Sequence, residues 1–232
     1  MNKSLLSAAL FAVALAAPLA HAHEAGDIIV RAGAITVNPK ADSSNVKVDQ
    51  GPLSGTNLGG KATMSSDTQL GLNFAYMLTN NIGIELLAAS PFEHDVKIKG
   101  TALPAANGKL GTLKHLPPTL SVVYYPLDAK SPFQPYIGGG INYTWIYDEH
   151  VGSEAQSNGF SNFNAKNSWG LAWQVGADYM LTDNIMLNAQ VRYIDIDTRA
   201  TVENNAVAPG TRAKVNVDVD PFVYMVGLGY KF

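Results

Sequence analysis

From Phe222 to the C-terminus every second residue is large and apolar: Phe222, Tyr224, Val226, Leu228, Tyr230 and Phe232. Between them lie Val223, Met225, Gly227, Gly229 and Lys231, mostly small and ending in a charge. Strict period two with one bulky face predicts a strand whose two sides meet unlike surroundings. A membrane-spanning stave with lipid outside and a packed interior has this pattern. The last strand of a soluble sandwich shares it. With Val215–Phe232 taken as the closing strand, the other segments must decide.

The alternation recurs along the chain. Asp27–Val37 sets Ile28, Val30, Ala32 and Ala34 against Ile29, Arg31 and Gly33. Thr68–Leu78 sets Leu70, Leu72, Phe74, Tyr76 and Leu78 against Gln69, Gly71, Asn73, Ala75 and Met77. Ile82–Phe92 carries Ile82, Ile84, Leu86 and Ala88 on one face and Gly83, Glu85 and Leu87 on the other. Leu120, Val122 and Tyr124 mark a fourth strand; Gln134–Asp148 is a fifth, Ser168–Leu181 a sixth, and a seventh starts at Ile185. Short connections follow strands two, four and six. Long ones follow one, three, five and seven, at 38–67, 97–115, 149–164 and 203–210. Long loops at one end only are expected of outer-membrane barrels and not of sandwiches. The turn sequence Tyr76-Met-Leu-Thr-Asn-Asn-Ile82 recurs as Tyr179-Met-Leu-Thr-Asp-Asn-Ile185, both on short turns. The predicted fold class is all-β: an eight-stranded antiparallel transmembrane β-barrel with short periplasmic turns and long extracellular loops.

Composition agrees. Lys3, the apolar run Leu5–Ala17 and Ala20-His21-Ala22 predict a cleaved signal peptide over residues 1–22. That leaves 23–232 as a single outer-membrane domain exported from a Gram-negative cytoplasm. The net charge of −3 makes no case for nucleic acid, and the absence of cysteine excludes a disulfide framework and thiolate chemistry. Aromatics fall where two interfacial girdles belong. Tyr76, Tyr124, Tyr136, Tyr179, Tyr230 and Phe232 lie near the short turns; Phe92, Tyr143, Trp145, Tyr147, Trp169, Tyr193 and Phe222 lie toward the long loops.

Catalysis finds little support. Of His23, His94, His115 and His150, three sit in or beside predicted loops, without metal-ligand spacing. His94 and His115 are able to meet across the second long loop, yet no nucleophile elbow accompanies them, so they read as solvated loop residues. Asp148, Glu149 and Glu154 read as solvated acids. No catalytic set, metal or cofactor is expected.

The inward face is more informative. By parity Arg31, Gln69, Asn73, Glu85, Leu87, Ser121, Gln174, Asp178, Asn188, Gln190, Arg192 and Lys231 point into a barrel narrow enough for side chains to fill. Arg31, Asp178 and Lys231 are expected to form a lumen charge network, and Leu87, Arg192, Glu85, Asn73 and Gln190 to line or constrict a channel. Whether this interior is a plug or a continuous pore stays open. Pro117 and Pro118, ahead of the fourth strand, remove two consecutive amide donors, and Pro91 weakens the third strand nearby. Together they predict a lipid-facing gap between strands three and four.

With those residues in view, the chain resembles the OmpW family of outer-membrane proteins, and most of all its OprG-type members. The matching stretches include His23-Glu-Ala-Gly-Asp27, Ile82-Gly-Ile-Glu-Leu-Leu87, Leu116-Pro-Pro-Thr-Leu120, Tyr193-Ile-Asp-Ile-Asp-Thr198 and Asp220-Pro-Phe-Val-Tyr-Met225. The resemblance implies an apolar channel open to the outside, lateral release of small hydrophobic molecules into the bilayer at Pro117 and Pro118, and a constriction at Leu87. At Arg192 the chain departs from the aromatic usual there, which makes the floor more polar. Three functions follow: passive uptake of small hydrophobic molecules, a narrow channel for small polar solutes such as amino acids past Arg192 and Glu85, or a structural barrel whose loops bind a host or phage partner. The expected associates are outer-membrane lipid and the solute, with no nucleic acid, around a monomer.

Overall fold

The computed structural model describes residues 23–232, so the expected signal peptide lies outside the described residues. In chain order the strands are β1 (Ile28–Asn38), β2 (Asp42–Ser43), β3 (Val46–Gln50), β4 (Asn57–Met64), β5 (Asp67–Met77), β6 (Ile82–Ala89), β7 (Phe92–Thr101) and β8 (Gly108–Leu116). They continue with β9 (Thr119–Tyr124), β10 (Phe133–Val151), β11 (Phe160–Ala165), β12 (Ser168–Met180), β13 (Ile185–Ile194), β14 (Asp197–Asn204), β15 (Arg212–Asp218) and β16 (Phe222–Lys231). Eight of them close an antiparallel lower barrel in the order β1-β5-β6-β9-β10-β12-β13-β16, with β16 returning to β1 in the register Ile29↔Lys231 to Asn38↔Phe222. Closure joins the first stave to the last, so no free strand edge is left along the paired length of the wall.

The closing stave alternates as expected, with Val223 and Met225 buried and Tyr224, Val226 and Leu228 exposed. Outward residues around the ring, such as Leu70, Ile137 and Trp173, are also more than half exposed. In water such a band would be an aggregation surface; lipid is its solvent. Backbones approach closely where β1 meets β16. A Cβ added to Gly33 would fall 2.1 Å from the Val226 carbonyl oxygen, and one on Gly227 would fall 2.2 Å from that of Ala32. No side chain fits at that paired position.

The repeated turn sequence forms the same turn twice. Thr79 Oγ1 accepts from Ile82 N at 3.0 Å, and Thr182 Oγ1 from Ile185 N at 3.0 Å. The amide of Asn81 then donates to the carbonyl of Tyr125 at 2.7 Å, and that of Asn184 to the carbonyl of Lys231 at 2.8 Å. Each turn thereby ties its own hairpin to the next stave.

The long connections depart from the expectation of loops. Most of their length is strand, paired in the order β11-β14-β15-β3-β4-β7-β8-β10 as an upper tier above the barrel. β10, 19 residues long, belongs to both tiers: it pairs with β9 and β12 below and with β8 above. On β7, Phe92, His94, Val96 and Ile98 are buried while Glu93, Lys97 and Lys99 are exposed. Alternation persists, but the outer face has turned from apolar to charged, so this tier stands in water. The run Val215–Phe232 is likewise two strands, broken at Asp220, whose φ is 37°, and Pro221. Two expected girdle aromatics also point inward: Phe92 and Tyr136 are buried.

Candidate functional site

A layer of inward polar side chains crosses the lower barrel. Arg31 on β1 meets Asp178 on β12 through Nε and Nη2, at 3.0 and 2.5 Å. It also donates to Asn73 Oδ1 at 3.2 Å and the Tyr125 hydroxyl at 2.9 Å. Glu85 on β6 lies 3.4 Å from Arg31 Nη1 and 2.6 Å from Arg192 Nη2 on β13. Gln174 binds both partners of that second pair, donating to Glu85 Oε1 at 2.9 Å and accepting from Arg192 Nε at 2.7 Å. Asn188 donates to Asp178 Oδ1 at 2.8 Å, and Gln190 accepts from the Tyr136 hydroxyl at 3.4 Å. Two guanidinium groups thus face two carboxylates, with amides filling most of the remaining hydrogen-bonding positions. That arrangement is what allows four charges to be buried together.

Toward the short-turn end, Met77, Val123, Tyr125, Tyr136, Met180 and Met186 form an apolar cap beneath this layer. His23 packs edge-on against Tyr125, with Nε2 3.3 Å from Asp178. The alternation does contain the signal for these aromatics, since Tyr125 is in step with Ser121 and Tyr136 with Gly138. Lys231 stands apart from the Arg31–Asp178 pair; its Nζ is 3.8 Å from Asp27 at the short-turn rim. Leu87 begins the next layer upward, with Ile35, Ile194, Val223 and Met225. From there a continuous apolar core rises to Phe160 and Phe163. An apolar cavity of about 150 Å³ lies in the upper tier against Leu110, Phe160, Phe163 and Val215, with exposed Leu53 and Val207 at its rim.

The wall above Leu87 is interrupted. β6 pairs with β9 from Ile82↔Tyr124 up to Leu87↔Thr119, and pairing resumes only at Phe92↔His115 between β7 and β8. Ala88 to Pro91 therefore face Leu116, Pro117 and Pro118 without a ladder. The prolines bring no amide hydrogens to leave unsatisfied. Their carbonyls are held from the other side: Asn142 Nδ2 donates to both at 3.1 Å, and Tyr143 N donates to that of Pro118 at 3.1 Å. Proline and the buried Asn142 thus keep the break free of stranded polar groups on this side, which a hydrocarbon environment demands.

Directly above the break, His94 and His115 stack at 4.8 Å between ring centroids, with Nε2 atoms 2.7 Å apart. Both are buried, which corrects the expectation of solvated loop residues. Burial lowers the His94 pKa and, with His94 beside it, pushes His115 down to about 3, against a smaller opposing pull from Asp67. Burial thus favours the neutral form of both rings. Among the loop acids, Asp148 pairs with Lys114 at 2.7 Å and Glu149 accepts from Ala165 N at 3.1 Å, so both are tied into the tier.

A lipid-facing band, a polar-skinned sleeve above it and a filled floor define an outer-membrane barrel protein, and the outer membrane is its location. The sequence profile of the OmpW family matches residues 24–232, and the chain belongs to that family. It is 42% identical over 232 residues to outer membrane protein W of Vibrio cholerae, covering all of both chains. It is 30% identical over 186 residues to outer membrane protein AlkL of Ectopseudomonas oleovorans, covering 78% of this chain and 75% of that one. The crystal structure of the outer membrane protein OprG from Pseudomonas aeruginosa superposes with a TM-score of 0.84 at 47% identity, covering 92% of this chain and 99% of that one.

Proposed function

We propose that the protein passively takes up small hydrophobic molecules, receives them in the apolar upper tier and releases them sideways into the bilayer between Ala88–Pro91 and Leu116–Pro118. Apolar solutes dissolve readily in lipid but are held back by the sugar-coated outer leaflet, so a side exit below that layer removes the relevant barrier. The observation that carries this reading is the ladder break placed above a filled, ion-paired floor. An axial path for small polar solutes past Arg192 and Glu85 would have to pull apart a pair of buried ion pairs and open the methionine–tyrosine cap. The side exit needs no such rearrangement.

Uptake of the apolar fluorophore N-phenylnaphthylamine into vesicles with a lipopolysaccharide outer leaflet tests the route. Arg192→Phe lies below the exit and is expected to leave the rate per folded barrel unchanged. A large change in that rate would move the route to the floor.

A further inference from the structure

The His94–His115 pair has one lone pair that the protein does not use. A carbonyl oxygen only accepts, so the Ser65 carbonyl, 2.5 Å from His94 Nδ1, places the His94 proton on Nδ1. His94 Nε2 is then a bare acceptor. The proton in the 2.7 Å contact between the two rings therefore belongs to His115 Nε2. That leaves His115 Nδ1 as an acceptor, buried and without a hydrogen-bond partner.

Its surroundings supply no donor. The small cavity that His94 and His115 both line is otherwise bounded by apolar side chains, among them Met64, Leu113, Ile146 and Val219, and by two threonines. The Thr144 hydroxyl already donates to Asn142 Oδ1 at 2.7 Å, and the Thr198 hydroxyl to the Lys166 carbonyl at 2.6 Å. Asp67, the charged group acting on both rings, is an acceptor. Phe92 stacks on His115 at 5.4 Å between centroids and is also its partner in the first ladder pair above the break. An unused acceptor in an apolar setting thus stands at the upper lip of the opening.

We infer that His115 Nδ1 accepts a hydrogen bond from the hydroxyl of a passing solute, so that the site takes small apolar molecules carrying one hydroxyl, phenols or alkanols, in preference to hydrocarbons of the same shape. This rests on the lateral route proposed above. A polar site group left without its partner disfavours the analogue that lacks the donor, and one hydrogen bond in a dry site corresponds to a preference of about tenfold.

The test uses the full chain in lipid nanodiscs with histidine nitrogen labels, titrated with phenol and with toluene. Phenol is expected to move the His115 Nδ1 resonance saturably from the position of a free lone pair toward that of a hydrogen-bonded one, while toluene leaves it in place. In His115→Phe, phenol affinity is expected to fall to that of toluene. A resonance already at the hydrogen-bonded position and unmoved by phenol would mean that water alone fills the site, and would overturn the inference. That reading needs only the wild-type chain, so it stands even where the variant does not fold. If N-phenylnaphthylamine uptake depends on the seam while phenol leaves His115 unmoved, the acceptor fails and the route stands. If phenol moves His115 but uptake ignores the seam, the route fails and the acceptor stands.

Discussion

Asp178→Ala is expected to destabilise the barrel by about 3–5 kcal/mol, the range for leaving one member of a buried ion pair without its partner. Arg31 would lose contacts at 3.0 and 2.5 Å and keep only Glu85, 3.4 Å away and already engaged by Arg192, among charged groups. The guanidinium sits directly above the cap of methionine and tyrosine, where water does not replace the lost carboxylate. Asn188 and His23 would lose a partner as well. Equilibrium unfolding in urea from lipid vesicles measures the loss. Arg31→Met combined with Asp178→Leu removes both charges and is expected to recover most of it, as apolar replacements of buried pairs often do. A single-variant loss under about 1 kcal/mol would mean that the floor is hydrated and open, since an exposed pair contributes no more than that.

The second large effect concerns the seam. Pro117→Ala together with Pro118→Ala restores two amide donors; consecutive strand amides point to opposite neighbours, so one of the two faces Ala88 to Pro91, where a carbonyl of the third stave can receive it. Each new hydrogen bond contributes about 0.5–1.5 kcal/mol. One such bond across the seam favours the closed ladder by that amount, which lowers the open population and the uptake rate roughly two- to tenfold. The folded barrel is expected to gain stability at the same time. Uptake of N-phenylnaphthylamine, set beside the urea midpoint, separates this from simple damage: slower uptake in a more stable barrel supports a seam. Unchanged uptake in a more stable barrel would count against it.

Much of the lower barrel is legible in the chain because lipid and lumen impose opposite demands on adjacent residues. Leu70, Phe74 and Tyr76 against Asn73, Ala75 and Met77 leave one orientation available. Inward parity for Arg31, Glu85, Asp178 and Arg192 follows from the same rule, but their partners do not, since pairing depends on stagger around the ring. Lys231 illustrates the point: it is inward by parity, yet its ammonium lies 3.8 Å from Asp27 at the rim. The break in the C-terminal run is hidden for a related reason. Val215, Val217 and Val219 stay in step with Val223 and Met225 across Asp220 and Pro221, so the alternation passes through uninterrupted. The upper tier is obscured by composition. Glycine, lysine and alanine between Lys97 and His115 read as loop, although Phe92, His94, Val96 and Ile98 alternate cleanly. That His94 and His115 are able to meet is legible, but their burial and ring contact need the β7–β8 register, because 21 residues separate the two.

The most direct test of lateral release is to lock the seam. The chain has no cysteine, so Ser90→Cys with Leu116→Cys gives a single thiol pair across the break, its closure to a disulfide followed by gel mobility, while Pro91, Pro117 and Pro118 stay in place. N-phenylnaphthylamine uptake is then followed in the oxidised and reduced states of one preparation. The expected result is uptake that falls to the protein-free rate on oxidation and returns on reduction. Equal uptake with the seam locked and unlocked would contradict lateral release.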